Sequence, residues 1–389
     1  MNTTLGPQAE RSMESPAKSG NRMQSLDVLR GMTVALMILV NTAGDGAVSY
    51  AQLRHSVWNG CTLTDVVFPC FLFIVGASIA LAFNARLKRG VCRRSILPQL
   101  GKRSLMILLV GLLLNAFPAF HLGDLRYYGV MQRIALCYAL AGVVFLFGGV
   151  RGTAAAGAGA LAGYWWLLLY VRVPGFGMPG VDLPVLDETG NLAAWLDRLL
   201  VPAAHLYRHS VYDPEGLLST LPAVATTLAG VLAGVWLQTT RSSARKALLL
   251  FAGGVVLLAA GWLWSFDFPL NKRLWTSSYA LFTAGIAAML LALLYWVVDG
   301  PWKVRRGLTP WLVFGTNALT AYVLSEVLAA TLVTITLPSG RNVQQLLYGY
   351  LPPWLGPPPL VSMIYSILYV GLCFLPVYAL YRRRIFIKL

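Results

Sequence analysis

The feature that most limits what this chain can become is a succession of apolar runs of roughly 17–25 residues, the length a helix needs to cross a bilayer. Ten spans follow from them, at residues 29–43, 66–85, 104–117, 129–150, 154–173, 217–237, 247–264, 276–298, 310–336 and 360–381. Charged residues make up 12% of the 389 positions, half the share of about 25% found in soluble domains, which excludes a cytosolic globular enzyme. The expected fold is an all-α polytopic integral membrane protein of about ten transmembrane helices. A polar segment over residues 1–24 precedes a single transmembrane domain over residues 25–389, with a long loop at 174–216.

The formal charge of +16 would suggest nucleic acid in a soluble protein. Here the basic residues cluster in the connections between spans, so no nucleic-acid partner is expected. With both termini cytoplasmic, 22 Lys and Arg fall on the inner side and 8 on the outer side, the bias of the positive-inside rule. Ten of the fifteen acidic residues, Asp45 through Asp267, fall on the outer side. Residues 1–24 hold no apolar stretch of the signal-peptide kind, so the first helix is expected to act as the insertion signal. Five cysteines without a CxxC pair indicate neither a disulfide framework nor a metal site.

Polar groups near the outer ends of the spans are the candidates for chemistry. His55 lies in the run His55-Ser-Val-Trp-Asn-Gly-Cys-Thr-Leu-Thr-Asp65, immediately before an apolar helix. An imidazole exchanges protons near neutral pH, and Asp65 is placed to fix its tautomer. Asp65 reads equally well as part of a cap on the helix that follows. Arg133, Glu326 and Asn41 lie within or at the ends of spans, where a charge must face a cavity or a partner. An Arg133 to Glu326 ion pair is the competing structural reading. Asn271 and Lys272 precede the span at 276, and Asp213 and Glu215 precede the span at 217, either as a turn and cap or as carboxylates for a sugar's polar groups. On the inner side, seven cations fall between Arg86 and Arg103, a topology determinant that touches anionic lipid or attracts a phosphorylated molecule.

Seven motifs in register resemble the heparan-α-glucosaminide N-acetyltransferase family. They are Ser25-Leu-Asp-Val-Leu-Arg-Gly31, Val40-Asn41, His55-Ser-Val-Trp-Asn-Gly60 with Asp65-Val-Val-Phe-Pro69, Gly129-Val-Met-Gln-Arg133, Tyr212-Asp-Pro-Glu-Gly216, Asn271-Lys-Arg-Leu-Trp275, and Asn317 to Glu326. The resemblance implies a membrane enzyme that carries acetyl from cytosolic acetyl-CoA to an amino sugar on the opposite side, commonly as a homodimer. It makes His55 and Asn41 catalytic, and the reading of the residues adds Asp65 to orient His55. Arg30, Gln132 and Arg133 are assigned to the donor, and Asp213, Glu215, Asn271, Lys272 and Glu326 to the acceptor. No metal is expected. The implied setting is a bacterial inner membrane with the catalytic face outside and membrane lipid around it. The animal lysosomal members carry a further N-terminal helix and luminal segment, so the acceptor here is expected to differ, as a cell-envelope sugar. The rival readings are a small-molecule permease with Arg133 and Glu326 in its path and a non-catalytic envelope scaffold.

Overall fold

The computed structural model describes residues 23–387, so most of the expected polar segment 1–24 lies outside the described residues. Twelve α-helices form among them: α1 (Gln24–Asn41), α2 (Leu63–Leu87), α3 (Leu97–Ala116), α4 (Val130–Tyr170), α5 (Leu192–Leu200), α6 (Thr220–Leu237), α7 (Ser243–Trp264), α8 (Ser277–Leu294), α9 (Thr309–Thr316), α10 (Ala318–Thr334), α11 (Val343–Gly349) and α12 (Pro358–Arg382). Seven helices are long and apolar enough to cross a membrane, or eight if the bent pair α9 and α10 is one span. This differs from the expected ten at two places. Helix α1 falls outside that set because Gln24, Asp27, Arg30 and Asn41 lower the mean hydropathy of its 18 residues. Helix α4 takes in two of the expected spans at once.

That 41-residue helix cannot be straight. The Arg133 guanidinium lies 5.2 Å from the Trp275 ring centroid, and the Tyr164 hydroxyl donates to the Leu274 carbonyl at 2.5 Å. Residues 133 and 164 would stand about 46 Å apart on a straight helix, at 1.5 Å per residue, yet they meet adjacent residues. The chain reverses at Gly149, whose φ of 58° and ψ of −157° lie in a region that a side chain disfavours.

Close helix crossings hold the bundle together. A Cβ on Gly76 of α2 would overlap the Thr227 carbonyl of α6, and one on Gly230 would overlap the Phe73 carbonyl, so small residues on both sides let these backbones touch. Helices α9 and α10 meet at 83° across Asn317. The Asn317 side chain donates to the Ile385 carbonyl at 3.2 Å and accepts from Ile387 N at 3.1 Å, binding the C-terminal strand of chain into the break. Composition alone does not announce this break, because the apolar run continues through it.

The segment from 174 to 216 folds back onto the helices. Asn191 caps α5 by accepting from Ala194 N at 2.9 Å, and Leu186 packs with Tyr164, Leu168 and Phe268. Trp58 Nε1 donates to the Leu186 carbonyl at 2.9 Å and its ring meets Tyr212 edge-on. Tyr207, Arg208, Pro214 and Glu215 of this segment line a cavity of about 630 Å³, while a smaller one of about 330 Å³ lies at the other end of α2.

Candidate active site

The larger cavity is lined from α1, α2, α3, α4, α10 and the loops before α2, α6 and α8. Its chemistry begins with the start of α2. Thr62 and Asp65 form a capping box: the Asp65 Oδ2 accepts from Thr62 N and from Ser56 N, each at 3.0 Å. The other oxygen, Oδ1, lies 2.7 Å from His55 Nδ1. Capping and orienting a histidine, set against each other in the sequence, are performed by one carboxylate. Asp65 is fully buried, whereas the His55 side chain is 47% exposed, so the ring is held on one side and open on the other. With Nδ1–H donated to the carboxylate, Nε2 carries the free lone pair.

Lys272 reaches the same ring from the loop before α8. Its Nζ is 3.0 Å from His55 Nδ1, 3.2 Å from Nε2 and 3.8 Å from Asp65 Oδ1. Burial pushes the Lys272 amine below its ordinary value against the opposing pull of Asp65 and Glu215. Asn271 stands behind it, donating to Asn59 Oδ1 at 3.1 Å and accepting from Leu274 N at 2.9 Å, and so ties the loop of Lys272 to the loop of His55. Across the cavity, Asn41 Nδ2 donates to Glu326 Oε1 at 3.3 Å. Gln132 also lines the space; its Nε2 is buried without a hydrogen-bond partner.

The acidic loop before α6 is organised by Arg126. This guanidinium grips Asp213 with two bonds, Nε to Oδ2 at 2.9 Å and a terminal nitrogen to Oδ1 at 2.5 Å, and takes Glu215 Oε2 at 2.5 Å. Burial pushes the Glu215 carboxyl up, but Arg126 and Arg133 outweigh it and hold the group below the ordinary carboxylate range. The face of Tyr207 receives the Arg126 guanidinium at 4.6 Å and that of Arg208 at 5.1 Å.

A family model for heparan-alpha-glucosaminide N-acetyltransferase, catalytic, matches residues 22–179, the part that carries Asn41, His55, Asp65, Arg126 and Gln132. The mouse heparan-alpha-glucosaminide N-acetyltransferase is 31% identical over 373 residues, covering 82% of this chain and 56% of the relative. The human protein of the same name is 31% identical over 358 residues, covering 79% and 53%. The chain belongs to the heparan-alpha-glucosaminide N-acetyltransferase family. It spans about half the length of the curated relatives it matches.

Within this family member, Asn41, His55, Asp65, Gln132, Glu215, Lys272 and Glu326 meet in one cavity, drawn from positions as far apart as 41 and 326. Four of the residues named from sequence lie off its lining. Arg30 bonds Asp27 at 2.9 Å, Ser78 at 2.7 Å and the Gly315 carbonyl at 3.1 Å. It stands on α1 eleven residues before Asn41, about 16 Å away. Asp213 spends both oxygens on Arg126 and on the backbone N–H groups of Tyr207 and Glu215. Asn271 is buried in its loop. Arg133 does not pair with Glu326: it bonds the Gly216 carbonyl at 3.0 Å and the Ser219 hydroxyl, while Glu326 takes the Asn41 amide. Depth in the membrane placed these two charges at one level, but depth does not say which way a side chain faces.

Two residues of the site went unread in the sequence. Arg126 sits in a short connection, and its partners lie 87 and 89 residues away. The one available signal was an arginine followed by two tyrosines just before the Gly129 motif. Asp197 accepts from Asp213 N at 3.1 Å and Leu217 N at 3.3 Å, and burial pushes its carboxyl up to about 6. Gly216 lies close beside it: a Cβ there would meet the Asp197 carboxylate and force it to shift.

Proposed function

We propose that this chain is a membrane acetyltransferase that moves an acetyl group from cytosolic acetyl-CoA to an amino or hydroxyl group of a sugar on the extracytoplasmic side of a bacterial inner membrane. The observation that carries the reading is the His55 and Asp65 pair, 2.7 Å apart, with the imidazole open to a cavity of about 630 Å³. The shared family of two N-acetyltransferases supports the reaction class.

In direct transfer, His55 Nε2 takes the proton of the acceptor as its nitrogen or oxygen bonds to the thioester carbonyl carbon. The C–S bond then breaks, and the leaving thiolate recovers that proton from the imidazolium to give the free thiol. In the stepwise route, Nε2 itself attacks the carbonyl and the C–S bond breaks to release the thiolate; the acceptor then attacks the acetyl carbon, the bond to Nε2 breaks to return the imidazole, and the proton the acceptor loses balances the one the thiolate takes up as thiol. Both routes develop negative charge on the carbonyl oxygen. Lys272, 3.2 Å from Nε2, and the Asn41 amide are the groups that meet this charge. Glu215 and Glu326 receive hydroxyl or amino groups of the acceptor, and Gln132 offers its unpartnered N–H₂ to the donor. Arg30 and Arg133, although off the lining, remain assigned to the donor side as charges that hold the helices around its path, and Asp213 and Asn271 act on the acceptor through Arg126 and Lys272. A homodimer is the proposed assembly.

His55→Ala removes the proton acceptor. Transfer of labelled acetyl to a panel of amino sugars is expected to fall roughly 10²–10⁴-fold, with coenzyme A binding unchanged. Asp65→Asn, which frees the wrong tautomer, is expected to lose at least about tenfold of activity. Activity near the unmodified level in His55→Ala would refute the reading. Acetyl trapped on the denatured protein without acceptor selects the stepwise route, and its absence at every time point selects the direct one. Permease function would instead appear as uptake that survives loss of His55, and a scaffold would gain no thermal stability from acetyl-CoA.

A further inference from the structure

Among the described residues, Lys272 is the single lysine on the lining of the His55 cavity. Its Nζ lies 3.0 Å from Nδ1 and 3.2 Å from Nε2 of the ring. An atom this close to both nitrogens cannot lie in the ring plane, where it would overlap the Cε1 carbon between them. The amine therefore stands over one face of the imidazole. That position matters for a group held at Nε2. An acetyl on Nε2 is conjugated with the ring and shares its plane, which leaves its carbonyl carbon open to attack only from the two faces. Lys272 occupies a side from which an amine takes such an acetyl away, with the advantage that a fixed neighbour has over a group arriving from solution.

An amine accepts acetyl only in its neutral form. The Lys272 side chain is 17% exposed, and burial lowers its proton affinity against the pull of Asp65, Glu215 and Cys61. Arg273, next in the chain, pushes in the same direction as burial. A desolvated lysine beside another cation is the setting in which an amine becomes a nucleophile. Acetylation of the ring adds to this. With Nδ1–H still on Asp65, an acetyl on Nε2 makes the imidazole a cation whose nitrogens lie within 3.2 Å of Nζ, and like charge drives the proton off the amine. Lys88, Lys102 and Lys303, by contrast, are exposed and lie off the cavity.

We propose, resting on the transfer at His55 read above, that Lys272 is an internal acetyl acceptor whose acetylation turns the site off when no sugar acceptor is bound. In the stepwise route, neutral Nζ bonds to the acetyl carbon, the bond from that carbon to Nε2 breaks, and the proton that Nζ loses goes to Nε2. In the direct route, Nζ bonds to the thioester carbon, the C–S bond breaks, and His55 Nε2 carries the proton from Nζ to the leaving thiolate. Both routes end with an uncharged amide at Lys272 and an imidazole free of acetyl. The amide has lost the positive charge that meets the carbonyl oxygen, and its added atoms stay beside Nε2.

The full chain in detergent is incubated without sugar in acetyl-CoA that carries a heavy isotope in its acetyl group, and the label on each lysine is read by peptide mass spectrometry. Lys272 is expected to carry at least about tenfold more label than Lys88, Lys102 or Lys303. His55→Ala, with His55→Gln as a second variant in case the first misfolds, is expected to bring Lys272 down to the level of those three. Transfer to the panel of amino sugars is measured on the same labelled protein, and its rate is expected to fall in proportion to the acetylated fraction of Lys272, to about half at half occupancy. Equal label on all four lysines would overturn the proposal, as would label on Lys272 that survives both changes at His55. An undiminished rate at half occupancy would overturn the switch. A preparation that acetylates a sugar but never Lys272 overturns the proposal and leaves the acetyltransferase reading standing, whereas one that acetylates neither overturns both.

Discussion

Two cavities at opposite ends of α2, α3 and α4 handle charge in opposite ways. At the His55 end every acid with a role has a donor in contact: Asp65 meets His55, Thr62 and Ser56, and Asp213 and Glu215 meet Arg126. At the other end Arg86, Arg89 and Arg103 line a space with no carboxylate among its described lining residues. Paired charges fix a geometry, since each partner's position is set by the other. Arg86 and Arg89 are held instead by the neutral oxygens of Gln99 and Ala85. The first cavity's pairing fixes the positions of its polar groups, whereas the second's arginines are placed by neutral partners and a ring.

The largest expected effect tests whether that contrast has energetic content. Arg126→Gln would strand two buried carboxylates, Asp213 and Glu215, and a broken buried pair costs about 3–5 kcal/mol. Arg86→Gln with Arg89→Gln breaks no ion pair and is expected to stay within about 0.5 kcal/mol. Thermal unfolding of the two variants side by side reads the difference. Equal destabilisation would show that the pairing around Arg126 contributes nothing that the arginine pocket lacks.

A smaller effect sharpens the picture of the His55 end, because one of its acids is held without a cation of its own. Asp197 is satisfied only by the backbone N–H groups of Asp213 and Leu217, and burial raises its carboxyl to about 6 from an ordinary 3.8. A group raised in the folded state contributes stability that is full below its unfolded value and is lost as pH rises through the folded one. The loop before α6 is therefore expected to loosen as pH rises from about 4 to about 7, by up to roughly 3 kcal/mol for a shift of this size. Hydrogen exchange of residues 213–217 across that range checks it. In Asp197→Asn the same amides are expected to exchange with little pH dependence beyond the intrinsic rate.

The two ends were also unequally legible in the sequence. Apolar length gave the helices, and even the reversal inside α4 was marked by the polar step at Arg151 and Gly152. His55 and Asp65 were readable as a pair because both sit within ten residues at a helix start, where cap and catalyst share a chemistry. The seven cations from Arg86 to Arg103 were visible as a run, but which of them converge depends on how α2 packs against α3. Arg126 was out of reach for the same reason, since its partners arrive from a distant loop. The bend at Asn317 and the turn of Arg133 toward Gly216 and Ser219 were hidden because hydropathy reports depth and carries no direction around the helix axis.

The smallest expected effect separates the two duties of Asp65. The Thr62 hydroxyl lies 3.0 Å from Asp65 Oδ2 and 2.8 Å from the Arg54 carbonyl, on the capping side of the carboxylate, while His55 occupies Oδ1. Thr62→Ala removes that hydroxyl and leaves both Thr62 N and Ser56 N on Oδ2. The helix start is expected to lose about 1 kcal/mol, the ordinary value of a cap, with acetyl transfer per folded molecule held within about twofold. Asp65→Asn, which disturbs Oδ1 as well, loses activity by far more than its stability cost explains. If Thr62→Ala instead reduced transfer as deeply as Asp65→Asn at equal folded concentration, the carboxylate's two oxygens would not act separately, and the cap itself would be part of what aims the imidazole into the cavity.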